Sequence, residues 1–200
     1  METHKDYIGS KLGMWLFLLS EILLFGGMFI LYSAYRYKNP VDFHFASKRL
    51  DVILGTFNTL ILLTSSFTMA TSISAVQKGR RRLSAFLVAT TMFLGLLFLV
   101  NKGVEWGTKI GHGIYPNSPA LLGRTRGEIL FFGLYYVMTG LHGLHVLVGV
   151  AVLSVMLFLL LKARIDQPHF NVNALENSGL YWHLVDIVWI FLFPLFYLIT

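Results

Sequence analysis

Four clusters of polar side chains interrupt the long apolar stretches of this 200-residue chain, and any chemistry has to reside there. Glu21 follows Ser20 near the middle of the first stretch, in GMWLFLLSEILLF. Lys102 and Glu105, in KGVEW, stand three residues apart near the end of the third, on one helix face where their charges can neutralise each other. His142 and His145, in GLHGLH, share a face near the middle of the fourth. His183 and Asp186, in YWHLVD, share one early in the fifth, where an aspartate can fix an imidazole's tautomer and orientation. Carboxyls beside imidazoles handle protons, and with enough converging ligands they hold a metal.

Each cluster also has a plainer reading. Glu21 is first a structural or environment-sensing carboxyl, with a proton-linked role next and metal or substrate binding last. Lys102 with Glu105 is first an ion pair at the membrane interface. Histidines beside glycines serve as interhelical hydrogen-bond donors, and without a third ligand we assign no metal to His142 and His145. His183 with Asp186 has the orienting half of a catalytic triad, but no serine stands in a nucleophile-elbow context, so hydrolysis is set aside. His4, His44, His112 and His169 fall in expected loops and read as solvated.

The elements that must position these residues are five apolar stretches: Leu12–Tyr35, Val52–Gln77, Leu83–Trp106, Ile129–Leu161 and Gly179–Ile199. Each meets the roughly 20 residues that an α-helix needs to cross a bilayer. Helices are the expected form, because lipid offers backbone groups no partners and the stretches are too long and too continuously apolar for barrel strands. The expected fold is therefore all-α, a polytopic bundle of five transmembrane helices forming a single domain over residues 1–200. Composition agrees, with 56% hydrophobic and only 13% charged residues. The candidate loops at 36–51 and 107–128 are too short for a core of their own.

The fourth stretch exceeds a perpendicular crossing and holds Gly133, Gly140, Gly143 and Gly149, which would let a helix approach closely where lipid supplies no hydrophobic drive. Gly140 and Gly143 are the expected packing positions, and Gly26 with Gly27 a further pair. The first stretch lacks a following small-residue cleavage site and is read as a retained helix. The absence of cysteine excludes disulfides and thiolate-bound metals. A net charge of +6 lies in the loops, as suits a protein held against anionic headgroups, and does not indicate nucleic acid. The short Lys78–Arg82 turn outweighs the nearly balanced remainder and puts the N-terminus inside and the C-terminus outside.

The segments GMWLFLLSE, FNTLILLTSS, KGVEW, FFGLYYVMTGLHGLHVLVG and YWHLVDIVWIFLFPLFYL, in this order across nearly the whole chain, resemble subunit III of the haem-copper terminal oxidases. The resemblance implies a helical subunit of the respiratory electron-transport chain, in the cytoplasmic membrane of a bacterium, with no haem or copper of its own. It implies partners, the catalytic subunit I and subunit II, which carry those cofactors. It implies support of proton uptake, protection of the catalytic neighbour from turnover-dependent inactivation, and bound phospholipid. By motif position Glu21 matches the family's buried, carbodiimide-reactive carboxyl. Lys102, Glu105, His142, His145, His183 and Asp186 match its interior polar network.

The family's long mitochondrial form has seven helices, and this chain begins where the third would. The lipid-filled cleft formed by the first two is then absent, or its far wall comes from another subunit. Glu21 and Glu176 resemble the cytochrome c branch, with quinol oxidases and nitric oxide reductase systems as alternatives. Independently, three histidines within spans are too few for the haems and copper of oxygen reduction. Two readings from other classes are a proton-coupled transporter using Glu21, for which no inverted repeat is evident, and a free-standing membrane metal enzyme.

Overall fold

The computed structural model describes residues 7–162 and 172–199, with side chains from residue 9 onward. The chain runs through α1 (Tyr7–Lys38), α2 (Pro40–Ser47), α3 (Val52–Gln77), α4 (Arg81–Gly111), α5 (Pro119–Leu122), α6 (Arg126–Lys162) and α7 (Val172–Phe193), closing in a π-helical turn at Pro194–Leu198. Five of these helices are long and apolar enough to cross a membrane, and no strand occurs among the described residues. This is a multi-pass, all-helical bundle. The second span keeps its expected limits, and the first, third and fourth extend past theirs by a turn or so, because a helix continues through the headgroup region where polar residues such as Lys109 and Arg126 still favour it. The fifth starts seven residues early, at Val172, and ends at Leu198, just short of the expected Ile199. The loop expected at 36–51 contains α2, started by Pro40 after Asn39, and α5 is capped by Ser118, whose hydroxyl accepts from Leu121 N–H at 3.1 Å.

Helix α7 is the centre. Its most apolar stretch is 61% buried inside the chain, against 11% for α1, which rests mainly on α6, α7 and α2. Helices α3 and α4 form a closely packed hairpin joined by the Lys78–Arg80 turn, where Gly79 takes φ +72. Trp182 and Trp189 of α7 are wholly buried, and their indole N–H groups donate to Ser65 Oγ and Thr59 Oγ1 of α3, both at 3.0 Å. Such bonds are needed because an unpartnered N–H in hydrocarbon is costly.

Small residues set the helix separations, though not chiefly the expected ones. A Cβ at Gly95 or Gly149 would meet Trp182 at 2.6 and 2.9 Å, so α4 and α6 close on the same indole from two sides. Gly140 lies against Trp106, where a Cβ would reach 3.0 Å, whereas Gly143 has only an ordinary 3.8 Å contact with Leu99. A Cβ at Gly26, Gly27 or Gly133 would meet no atom of another element within 4 Å among the described residues.

Pro194 explains the end of the chain. Its missing N–H leaves the carbonyl one turn back without its helical donor, and from Pro194 onward the helix continues as a wider turn. Ile199 N–H then bonds to Pro194 O at 2.8 Å, five residues back. The freed Leu195 carbonyl accepts the hydroxyl of Tyr32, 2.7 Å away on α1.

Candidate functional site

The polar residues of the spans assemble into three sites. The largest stands where α4, α6 and the π-turn meet. Glu105 is 4% exposed and carries two cations on its own helix, with Lys102 Nζ 2.8 Å from Oε2 and Lys109 Nζ 3.6 Å from Oε1. Helical spacing of three and four residues puts both lysines over the same carboxylate. Two phenols complete the shell: Tyr135 donates to Oε1 at 2.8 Å, and Tyr197 donates to Oε1 and Oε2 at 2.7 and 2.9 Å. Lys102 in turn donates to both phenolic oxygens, at 3.1 and 2.9 Å, and stands 5.1 Å from the ring centre of Trp189. The carboxylate is thus held in a dry interior by hydrogen bonds from three side chains and by the ion pair with Lys109.

The second site joins α1 to α6. Glu21 Oε2 is 2.9 Å from His145 Nε2, and the other ring nitrogen, Nδ1, is 2.8 Å from Leu141 O of its own helix. A carbonyl only accepts, so Nδ1 must carry a proton. The bond between Nε2 and Oε2 then holds a further proton, whether formally on the imidazole or on the carboxyl. The pair is only partly shielded, with side chains 14% and 15% exposed. An apolar groove of about 250 Å³ between α1, α6 and α7 is lined by Met14, Phe17, Val148, Val152, Asn177 and Tyr181. Tyr181 donates to His145 O at 3.0 Å and fixes that wall.

The third lies between α3 and α7. His183 Nδ1 is 2.7 Å from Ser66 Oγ, while both oxygens of buried Asp186 make no hydrogen bond among the described residues. The expected orienting contact from Asp186 to His183 is therefore not formed: the serine of the neighbouring helix takes the imidazole instead. His142 and His145 also part company. Positions three apart on an α-helix differ by about 60° in direction, enough to send one inward and the other to α1. His142 is wholly buried between Phe98 and Trp189, with ring centres 5.5 and 5.3 Å away, and neither of its nitrogens has a hydrogen-bond partner among the described residues.

Among the other histidines, His44 lies on α2, and His112 stands at the exposed end of α4 with Nδ1 2.7 Å from Thr108 O. His4 and His169 lie outside the described residues. No group of three His, Asp or Glu side chains able to hold a metal converges among the described residues. Sequence reasoning missed Lys109, Tyr135, Tyr197 and Ser66. Only Lys109 carried a local signal, four residues after Glu105.

Fold and site together define a multi-pass helical membrane protein whose largest interior charge cluster, around Glu105, is matched within its own bundle. The family model for cytochrome c oxidase subunit III matches residues 2–200. Cytochrome c oxidase subunit 3 of Thermostichus vulcanus is 32% identical over 98% of this chain and 90% of its own length. Probable quinol oxidase subunit 3 of Staphylococcus haemolyticus, and that of Staphylococcus aureus strain USA300, are each 27% identical over 98% of this chain and 92% of theirs. The chain belongs to the cytochrome c oxidase subunit III family, the third subunit of the haem-copper oxidases.

Proposed function

We propose that this chain is the non-redox subunit III of a bacterial cytochrome c oxidase, in the sense that it binds no haem or copper of its own. It lies in the cytoplasmic membrane with the N-terminus inside, in contact with subunits I and II, which hold the haem and copper. Its work is to keep subunit I active, to support proton uptake through the Glu21–His145 pair, and to hold phospholipid. The observation that carries this reading is how the in-span histidines are used. His145 is taken by Glu21, His183 by Ser66, and His142 is enclosed by aromatic rings, so the chain's own bundle absorbs the side chains that a haem or copper would need. The proton held on the Nε2 to Oε2 bond supports the proton-linked role. The uncovered outer face of α1, with Gly26 and Gly27, supports contact with a neighbouring chain or lipid.

Deleting the chain tests this reading. The partner's haem absorption should stay unchanged and initial oxygen consumption should largely persist, but activity should be lost after far fewer turnovers. Altered haem or copper content would assign it a ligand role, and an unchanged lifetime would refute the supporting role. The names of the Staphylococcus relatives make quinol the second reading of the electron donor. Oxidation of reduced cytochrome c by the purified complex decides between the two.

A further inference from the structure

Two tyrosines sharing one buried carboxylate are more than packing requires, since phenylalanine would fill the same space without hydroxyls that need partners. The Tyr135 and Tyr197 hydroxyl oxygens are 3.3 Å apart, and each donates to Glu105. The rings around them form a continuous series. Trp189 lies 6.4 Å from Tyr197, Tyr197 6.4 Å from Tyr135, Tyr135 5.4 Å from Tyr136, and Tyr136 5.1 Å from Trp106, centre to centre. The series starts at a wholly buried indole in the bundle centre and ends at partly exposed rings beside the loop that follows α4, where Tyr136 donates to Ile114 O at 2.7 Å. Tryptophan and tyrosine are the side chains most readily oxidised by one electron without a metal, and electron transfer between rings in contact is fast.

We propose that Tyr135, Tyr197 and Glu105 form a proton-coupled redox site within a relay that carries oxidising equivalents from the bundle interior to its edge. The proposal rests on the reading that the chain accompanies a haem-copper oxidase. The oxidant is a high-potential one-electron species of the kind that oxygen reduction generates there. When an electron leaves Tyr197 for that oxidant, directly or through Trp189, the phenolic proton moves along its 2.7 Å hydrogen bond to Glu105. Tyr–OH and carboxylate become a neutral tyrosyl radical and a carboxylic acid, so no charge is created on the phenol. An electron from Tyr135 then quenches Tyr197, the carboxyl returns that proton, and Tyr135 passes its own to Oε1 at 2.8 Å. Trp106 next reduces Tyr135 across the Tyr136 ring, and the proton goes back to Tyr135. The resulting indole radical cation is reduced by a thiol or enediol in solution. Lys102 and Lys109, both paired with Glu105, hold its carboxylate in place beside the two phenols.

The native chain has no cysteine, and Gly107, exposed beside Trp106 with no atom within 4 Å of its would-be Cβ, accepts one. A Gly107→Cys complex, purified in mild detergent, would be labelled with a ruthenium polypyridyl and flashed with a cobalt(III) quencher. The identically treated parent complex supplies the background. The expected result is a freeze-trapped radical whose electron paramagnetic resonance spectrum narrows when the cells are grown on ring-deuterated tyrosine. Its formation should slow in deuterium oxide, and its yield should fall to background in Tyr135→Phe with Tyr197→Phe but not in Tyr37→Phe. A radical that ignores tyrosine deuteration, or an equal yield after Trp106→Phe with Tyr136→Phe, overturns the relay. The deuteration arm needs no substitution in the cluster, so a misfolded variant cannot obscure the answer. Light supplies the oxidant, so the result does not depend on the partner's identity, which the haem spectrum of the same preparation reports separately.

Discussion

Glu21 and His145, 124 residues apart in sequence, depend on each other for their only hydrogen bond between side chains of different helices among the described residues. Glu21→Leu leaves Nε2 unpartnered in an apolar wall and should destabilise by about 1–3 kcal/mol. Glu21→Gln keeps an amide within reach and should cost clearly less. Thermal unfolding in detergent compares the two, and equal losses would show that the bond contributes nothing. At the larger cluster, Lys102→Met strips the carboxylate of its nearest cation and should cost about 3–5 kcal/mol, while Lys102→Met with Glu105→Leu should cost less than that single change. Denaturation midpoints of the two variants check the order. The sequence made the Lys102 to Glu105 spacing legible because both residues lie on one helix. It could not disclose Tyr135, Tyr197 or Ser66, whose arrival depends on how α4, α6, α7 and the closing turn are rotated against one another. The same ignorance of rotation made Asp186 the natural partner for His183, when Ser66 occupies that place.

At the scale of helices, hydropathy alone located all five spans, since the bilayer selects length and apolarity and little else. The two short helices and the π-turn escaped it, because α2, α5 and the closing turn arise from Pro40, Ser118 and Pro194 acting locally. The glycines of the fourth span were visible as small residues, but which of them a neighbour fills was not. Gly95→Ala and Gly149→Ala should each force Trp182 to shift, at about 1–3 kcal/mol. Gly143→Ala, with only an ordinary contact to make, should be tolerated. The amount of folded protein recovered from membranes ranks them, and a Gly143 variant as damaged as the Gly95 variant would contradict the geometry.

For the whole molecule, Gln77 at the end of α3, Glu176 at the start of α7 and Lys11 at the start of α1 meet at one end of the bundle, with Gln77 Nε2 2.9 Å and Lys11 Nζ 3.4 Å from the Glu176 carboxylate. Arg49, Arg124 and Glu128 meet at the other. If the Lys78–Arg82 turn faces the cytoplasm, a membrane-impermeant maleimide added to intact cells should label Leu122→Cys and spare Gln77→Cys. Inverted membrane vesicles should reverse the pattern. The opposite labelling would turn the molecule over.

The widened turn at Pro194 makes chain length itself a carrier of information. Each residue advances an α-helix by about 100°, so one residue lost or gained between Leu192 and Tyr197 would throw everything beyond it out of phase. The Tyr197 hydroxyl would swing off Glu105, and Phe196 would leave its place 5.0 Å from Tyr32 and 5.6 Å from Phe131, although every side chain was still present. The C-terminus therefore works like the tooth of a key. Conservative replacements there leave the cut intact, whereas a single insertion or deletion makes a different key.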